Sequence, residues 1–471
     1  MARKAERGKQ RDPAPPALAS SPAAGAPQAP TSSPSGLSRL VLHLHPRMIP
    51  ARTLPFTQTF GLGGMCVVLI LLLVATGVLL LFAYEPSVTG AYESVAKLRY
   101  DVPMGQFVRN AHRWSGNALL IAALLHLLRV FYTGAYRGPR AKNWSFGLVL
   151  LALVVVGNFT GYLLPWDQLA YWAVTIATSM LEYVPLAGPL LQRLLRGGDE
   201  VGAPTLSTFF VLHIVIVPVV IMPLMAAHFW LVRKAHGVIV PREEGDADPG
   251  LGPLVPTSPS LTVREGAVAL ALIAVVFAFA VAMNAPLEAQ ANPGLSPNPA
   301  KAPWYFMGLQ ELLVHFHPLV AVLVIPLGAA LLLLRLPSID GDSATEGTWF
   351  ISARGRRTAA LGAGLGAGTA LVAVLLDEYV LDLPARLPAI PSLVTAGFLP
   401  LAIFVAVGWL FLSWLKLREG ATPAERTQAL CTALLAAMIV LTVVGAGFRG
   451  RGMELTMPHS TSSTGGESAW R

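Results

Sequence analysis

Nine long apolar stretches constrain this chain more than any other feature. In hydrocarbon, backbone N–H and C=O groups must bond within the protein, so an apolar stretch of about 20 residues crosses a membrane as an α-helix. The 471-residue chain is 54% hydrophobic and 13% charged, which leaves little material for a soluble domain. The sequence therefore predicts an all-α polytopic membrane protein with about nine transmembrane helices. The nine stretches are 61–84, 111–133, 146–165, 208–232, 265–283, 316–336, 358–376, 394–415 and 429–447.

Basic residues collect in the connections on one side of these helices. Arg137 and Arg140 follow the second stretch. Arg233 and Lys234 follow the fourth, and the start of the chain is also basic. The positive-inside rule makes this side the cytoplasm, and we expect a bacterial inner-membrane protein with a cytoplasmic N-terminus. The net charge of +8 is then a sign of membrane topology, and no nucleic-acid partner is expected.

Two of the stretches carry a pair of histidines each. His112 and His126 are fourteen residues apart, and His213 and His228 are fifteen apart. An α-helix rises about 1.5 Å and turns about 100° per residue, so each pair shares one face and is separated by roughly 21 to 22 Å. Intramembrane histidines serve protons, substrates or metals, and two imidazoles can ligate one haem iron for electron transfer. The pattern predicts two haems, one near each membrane face.

Two glycine pairs repeat the histidine interval. Gly63 and Gly77 in the first stretch are fourteen residues apart, as are Gly147 and Gly161 in the third. A flat macrocycle between helices needs facing positions without side chains. The four glycines are therefore predicted to line the haem pockets.

Three arginines lie near the histidines. Arg109 and Arg113 flank His112, and Arg129 follows His126 by three residues. A guanidinium can pair with a haem propionate through two hydrogen bonds. The alternative is that these side chains only reach from the helix ends toward the membrane surface.

Four short motifs resemble cytochrome b of the Rieske and cytochrome bc complexes. They are HRWSG at 112–116, TGYLLPWDQ at 160–168, TL at 205–206 and PWYF at 303–306, and the resemblance covers about 50–335. The fifteen-residue histidine interval is similar to the photosynthetic type, although this chain is not split after its fourth helix. The resemblance implies a dihaem four-helix bundle followed by C-terminal helices. It also implies that His112 and His213 hold the outer haem iron, and that His126 and His228 hold the inner one.

The same resemblance implies a redox function. Quinol would be oxidised at the outer face, and electrons would pass through two b-type haems to a quinone at the inner face in a proton-translocating Q cycle. The implied complex is a quinol:cytochrome c oxidoreductase. Its implied partners are a Rieske iron-sulfur protein, a c-type cytochrome and a second copy of this chain, all associated with the lipid membrane.

The quinol motif departs from the family pattern. Family members carry a carboxylate just before the Trp-Tyr-Phe triplet, whereas this chain has Pro303 there. We expect Trp304 and Tyr305 to serve the quinol pocket and Glu311 to supply the missing carboxylate; the alternative is that Glu311 is an ordinary carboxylate on an exposed loop. Loss of the usual glutamate favours menaquinone as the quinone.

A second departure concerns the inner side. In the photosynthetic type a cysteine two residues before the first pocket glycine binds an extra haem covalently, but Gly61 occupies that position here. Cys66 lies about 140° further around the helix, so we expect two non-covalent haems only. Arg233, just after His228, is a candidate contact for the inner quinone.

These inferences divide the chain into six parts. They are a disordered cytoplasmic arm (1–37), an interfacial amphipathic segment (38–57), the dihaem bundle (58–240), a C-terminal part with the PWYF loop (241–340), additional transmembrane helices (341–447) and a C-terminal tail (448–471). Two other functions remain open: a dihaem membrane anchor of a dehydrogenase or hydrogenase, which would lack the PWYF loop, and a proton-coupled transporter, which would show broken helices and inverted repeats.

Overall fold

The computed structural model describes residues 45–242, 250–339 and 345–456. The predicted disordered arm (1–37) lies outside these residues, as do the first part of the interfacial segment and most of the C-terminal tail. Within the described ranges, nine helices are long and apolar enough to cross a membrane. Each corresponds to one of the nine predicted stretches, so the predicted fold class is confirmed.

The longer helices of the described ranges are numbered α1 to α13 in chain order. The membrane helices are α1 (Leu62–Leu81), α3 (Gly105–Tyr132), α4 (Ala141–Leu163), α7 (Ala203–Lys234), α8 (Thr262–Ala282), α10 (Leu319–Ile339), α11 (Ala353–Leu376), α12 (Val394–Arg418) and α13 (Pro423–Gly447). The shorter helices are α2 (Ala91–Tyr100), α5 (Gln168–Ser179), α6 (Gly188–Arg196) and α9 (Met307–His315). Single helical turns lie at Phe56–Thr59, Thr257–Ser260 and Leu383–Arg386.

The first half of the chain forms a helical bundle. Helix α3 packs against α1, α4 and α8, and α7 packs against α4. Leu69, Leu119, Leu120, Val154 and Val276 from four of these helices form one buried cluster. Lipid tails are as apolar as leucine, so van der Waals packing rather than water exclusion holds such helices together. The bundle therefore brings both histidine-bearing helices, α3 and α7, into one packed unit.

The last helices are fastened to the PWYF region. Helix α11 packs along α13, and a Cβ at Gly362 or Gly366 would collide with the backbone of Ala429 or Ala433. The glycine-rich seventh stretch is thus a true helix whose glycines allow close approach. Helix α9, which follows the PWYF residues directly, packs against α13. The additional helices consequently support α9.

Two short strands tie the segment before α1 to the segment before α8. Strand β1 (Met48–Pro50) pairs antiparallel with β2 (Leu254–Pro256), with Met48 opposite Pro256. A short 3-10 turn, Ala51–Thr53, follows β1. The described part of the predicted interfacial segment is therefore a strand and turns rather than a continuous helix, and its location at a membrane surface stays a prediction.

Candidate functional site

The four histidines meet in two pairs between α3 and α7. The ring centroids of His112 and His213 are 6.1 Å apart, and those of His126 and His228 are 6.4 Å apart. A metal–imidazole bond is about 2.0 Å, so two such bonds in line place the ring centroids roughly 6 Å apart. Each pair thus has the spacing that one iron between two imidazoles requires.

The two histidines of α7 lie at the same levels as the two histidines of α3, because α7 contains one inserted residue. His213 lies in a π-helical segment, Leu212–Ile216. A π-bulge adds one residue to an α-helix, so the fifteen-residue interval on α7 spans about the same rise and turn as the fourteen-residue interval on α3. Such segments occur frequently at functional sites, and the one signal for it in the sequence is Pro218, which has no N–H for a regular helical hydrogen bond.

Hydrogen bonds orient both rings of the His112–His213 pair. Nδ1 of His112 lies 2.9 Å from Oγ1 of Thr76, whose hydroxyl donates to the carbonyl of Leu72 at 2.7 Å. Nδ1 of His213 donates to the carbonyl of Gly157 at 3.0 Å. A hydrogen on Nδ1 leaves the lone pair of Nε2 available to a metal. The surroundings therefore favour the tautomer that ligates through Nε2.

Each predicted pocket glycine faces one of the four histidines. A Cβ at any of these positions would lie within van der Waals range of the ring, or closer. The distances from that Cβ to the ring Cε1 are 3.2 Å for Gly77 and His112, 2.5 Å for Gly161 and His213, 3.5 Å for Gly63 and His126, and 3.5 Å for Gly147 and His228. The fourteen-residue spacing of the glycines thus places one glycine beside each histidine ring.

A cavity of about 360 Å³ adjoins the His112–His213 pair, and Arg109, Arg113 and Tyr162 are among its lining residues. Arg109 donates to the carbonyls of Ala285 and Pro286 at 2.8 and 2.6 Å, while the Arg113 guanidinium lies 5.1 Å from the Tyr162 ring centroid. The cavity combines apolar walls with two guanidinium groups, which suits an apolar macrocycle bearing carboxylates.

Arg129 lies near the other histidine pair, and 7% of its surface is exposed. Its Nε donates to the carbonyl of Gln58 at 2.9 Å, but Nη2 has no hydrogen-bonding partner in the described part of the chain. A buried donor without a partner is costly, and an anionic group would relieve that cost. Arg233 lies in the last turn of α7, at the same end of the bundle. Its contact with a quinone stays a prediction.

Gly61 has a backbone conformation that disfavours a cysteine. It caps α1 with φ +65°, and a Cβ there would lie 3.0 Å from Cγ1 of Val268. A side chain at this position would be strained. The backbone at position 61 therefore suits the glycine found here better than the cysteine of the photosynthetic type.

The PWYF residues form a turn that leads directly into α9. Trp304–Phe306 is a single 3-10 turn, and Nε1 of Trp304 donates to Oδ1 of Asn117 at 3.1 Å. The Tyr305 hydroxyl is buried and has no partner among the described residues. Burial raises the pKa of this phenol, so it keeps its hydrogen and can donate it to a bound oxygen. Tyr305 is thus suited to binding a quinol or quinone oxygen.

Glu311 lies in a buried ion-pair network rather than on an exposed loop. Its side chain has no exposed surface, and its carboxylate accepts from Arg449 at 2.6 and 3.1 Å and lies 3.1 Å from Nε2 of His315. Burial would raise the pKa of Glu311, but these hydrogen bonds outweigh it and lower the pKa. The alternative of an exposed loop carboxylate is therefore wrong, whereas proton acceptance by Glu311 stays a prediction.

Sequence reasoning did not anticipate the partners of Glu311. His315 follows it by one helical turn, but Asp377 and Glu378 lie just after α11, and Arg449 lies just after α13. The Glu-x-x-x-His spacing on α9 was the one local signal. Contacts between positions more than sixty residues apart leave no periodic pattern in a single sequence.

Comparisons with known proteins agree with this geometry. The family model described as cytochrome b/b6/petB matches residues 51–236, the part that contains both histidine pairs. Cytochrome b6 of Prochlorococcus marinus (strain NATL1A) is 41% identical over 175 residues, which are 37% of this chain and 80% of that protein. Cytochrome b6 of Prochlorothrix hollandica is 42% identical over 175 residues, or 79% of its length.

A solved structure extends the likeness of fold to the later helices. A chain of a structure described as hyperthermophilic respiratory Complex III matches with a TM-score of 0.58 and 24% identity, covering 82% of this chain and 90% of that one. Family membership implies b-type haems, and the solved structure shows that the likeness of fold continues through the later helices. On its motifs, its paired histidines and these relatives, the chain belongs to the cytochrome b/b6 family.

Proposed function

We propose that this chain is the dihaem core of a proton-translocating quinol:cytochrome c oxidoreductase. The observation that carries the proposal is the pairing of four histidines in two tiers, at 6.1 and 6.4 Å, between α3 and α7. The tiers are separated by roughly 21 Å along the helix axis, so together they extend across most of a membrane about 30 Å thick.

His112 and His213 would hold one b-type haem, and His126 and His228 the other. The haems, when bound without a covalent link, supply one-electron transfer across the membrane. Thr76 and Gly157 keep the first two rings in the ligating tautomer. Arg109 and Arg113 at one tier and Arg129 at the other would pair with the haem propionates.

Quinol oxidation is assigned to the end of the bundle that carries His112 and His213, termed the His112 end. Positive-inside reasoning makes this end the outer face. Tyr305 offers a buried hydroxyl to the quinol, and Trp304 closes the turn beside it. Glu311 is the candidate proton acceptor, because Pro303 stands where other family members have a carboxylate.

Quinone reduction is assigned to the opposite, cytoplasmic end, with Arg233 as a contact for the reduced quinone. Menaquinone is the favoured quinone, since the chain lacks the usual loop glutamate.

The proposed complex has further subunits. A Rieske protein would accept the other electron of each quinol and pass it to a c-type cytochrome. Two copies of this chain would form the complex in the bacterial inner membrane. A dihaem dehydrogenase anchor and a proton-coupled transporter gain no support, because the chain belongs to the cytochrome b/b6 family.

The experiment is quinol-driven reduction of the complex purified with its native partners. Wild-type complex should reduce both b haems on addition of a menaquinol analogue and then reduce a c-type cytochrome. His126→Leu should stop transfer to the inner quinone while leaving reduction at the other tier. His236→Asn is the matched control, because His236 is exposed, lies just after α7, and has a positive φ that asparagine tolerates. Wild-type complex whose haems are not reduced by any quinol would refute the proposal.

A further inference from the structure

A chain of hydrogen bonds links a fully buried carboxylate to the protein surface. Oε1 of Glu311 lies 3.1 Å from Nε2 of His315, and Nδ1 of the same ring lies 2.7 Å from Oδ2 of Asp377. The Glu311 side chain has no exposed surface, whereas that of Asp377 is 39% exposed. One imidazole thus connects an interior acid to an acid in contact with solvent.

The buried end of this chain lies on the helix that follows the PWYF turn. Glu311 follows Tyr305 by six residues on the helix that the turn begins. Gln310 fastens the preceding loop to the same helix, because its side chain accepts from the N–H of Ala302 at 2.8 Å and donates to the carbonyl of Ala300 at 2.7 Å. The quinol turn and Glu311 therefore belong to one fastened unit.

Nε2 of His315 has a suitable partner in either protonation state. It lies 3.1 Å from the Glu311 carboxylate and 3.0 Å from Nη2 of Arg449. An imidazolium donates from Nε2 to the carboxylate, whereas a neutral ring with its hydrogen on Nδ1 accepts from Arg449. The surroundings of His315 therefore accommodate both the imidazolium and the neutral imidazole.

The charges around the ring favour the entry of a proton. Helix α9 supplies Glu311 and His315, the segment just after α11 supplies Asp377 and Glu378, and Arg449 follows α13. Three carboxylates, one guanidinium and one imidazolium give a net charge of −1, which one more proton neutralises. An added proton therefore creates no unpaired positive charge in the interior.

Burial would lower the pKa of His315, but the hydrogen bonds to Asp377 and Glu311 outweigh it and raise the pKa to about 9. The ring is consequently charged at rest near neutral pH.

The two acids that follow α11 both contact this network. Asp377 and Glu378 open a π-helical segment, Asp377–Leu381. Successive side chains of an α-helix diverge by about 100°, yet Asp377 contacts His315 while Glu378 contacts Arg449 at 2.8 Å.

We propose that Glu311, His315 and Asp377 are the route by which a proton released from quinol reaches solvent at the His112 end. The inference rests on the proposed function. The resting imidazolium of His315 releases its Nδ1 proton through Asp377 to water. The neutral ring then changes tautomer, so that its remaining hydrogen moves from Nε2 to Nδ1. Nε2 takes the next proton from Glu311, which receives it from a quinol hydroxyl. One proton enters and one leaves in each cycle, and no electron passes through these residues.

The test compares two variants that remove the same charge from the network. Asp377→Asn removes the exit carboxylate, whereas Glu378→Gln removes a carboxylate that contacts Arg449 and not His315. In the purified complex, Asp377→Asn and His315→Gln should lower kcat for quinol oxidation about tenfold or more with little change in KM, since loss of a positioned acid or base costs at least that much. Added formate, a small mobile proton carrier, should restore part of the Asp377→Asn rate. Glu378→Gln, which leaves both hydrogen bonds of His315 in place, should lose much less activity than Asp377→Asn.

The outcomes separate failure of the relay from failure of the proposed function. Equal rates for Asp377→Asn and Glu378→Gln, or no effect of formate on a slow Asp377→Asn complex, would overturn the relay. If His315→Gln does not assemble, the exposed Asp377 still provides the decisive comparison. A wild-type complex without quinol-dependent haem reduction would refute the proposed function itself, whereas an active wild type with equally active relay variants would refute the relay alone.

Discussion

Replacing Gly161 with alanine should disturb the haem site of the His112–His213 tier selectively. The added Cβ would lie 2.5 Å from Cε1 of His213, whereas ordinary contacts begin at 3.4 Å, so the ring must move by nearly 1 Å. Overpacking of this kind costs about 1–3 kcal/mol, which corresponds to roughly 5- to 150-fold weaker retention of the haem. Gly63→Ala, with its Cβ at 3.5 Å from His126, should be much milder.

Gly64→Ala is the matched control for this experiment. Nothing lies within 4 Å of a Cβ at Gly64, and alanine improves helix propensity by about 1 kcal/mol at either position. The assay is the haem content and the reduced-minus-oxidised spectrum of each purified variant, titrated with a reductant. Gly161→Ala with two haems and unchanged potentials would refute the reasoning that this glycine makes room for a haem ligand.

Further predictions concern the buried network and the hydrogen bonds of the site. Glu311→Gln should destabilise the protein by about 1–3 kcal/mol, because the buried Arg449 loses one of its two carboxylate partners and keeps Glu378, and adding Arg449→Met should recover part of the loss in thermal denaturation. His315 has its pKa raised from 6.5 to about 9, so its stabilisation is full below pH 6.5 and is lost as the pH rises toward 9. The free energy of unfolding should fall over that range, and His315→Gln should lack this slope. Tyr305→Phe should raise the KM for quinol without lowering the denaturation temperature, because the hydroxyl has no protein partner in the described structure; unchanged KM would contradict its role. Thr76→Val should shift the midpoint potential of one haem only, since the Thr76 hydroxyl contacts Nδ1 of His112 alone among the four rings in the described structure.

The sequence predicted those features that repeat along the chain. The nine membrane helices follow from apolar length, and the structure has a helix at every predicted stretch. The tiers of histidines follow from helical rise, and the structure brings His112 to His213 and His126 to His228. Local period and composition determine such features, so a single sequence carries them.

Features that depend on distant contacts were beyond sequence reasoning. The π-helical insertion at His213 is followed by Pro218, whose missing N–H breaks the regular hydrogen-bond pattern but does not by itself specify an inserted residue. The ion pair between Glu311 and Arg449 joins positions 138 residues apart, and neither residue signals the other. The sequence therefore predicts Glu311 as a quinol-site carboxylate, but it does not predict the burial of Glu311 against Arg449.

Haem stoichiometry tests the central claim most directly. The complex is purified with its native partners, and the haem on this chain is counted by spectroscopy and by acid extraction, in the wild type and in His112→Leu and His126→Leu. The account predicts two extractable b-type haems per chain in the wild type and one in each variant. The haem that remains in His112→Leu should have a different midpoint potential from the haem that remains in His126→Leu. A single haem, no haem, or haem that stays attached to the denatured chain would contradict it.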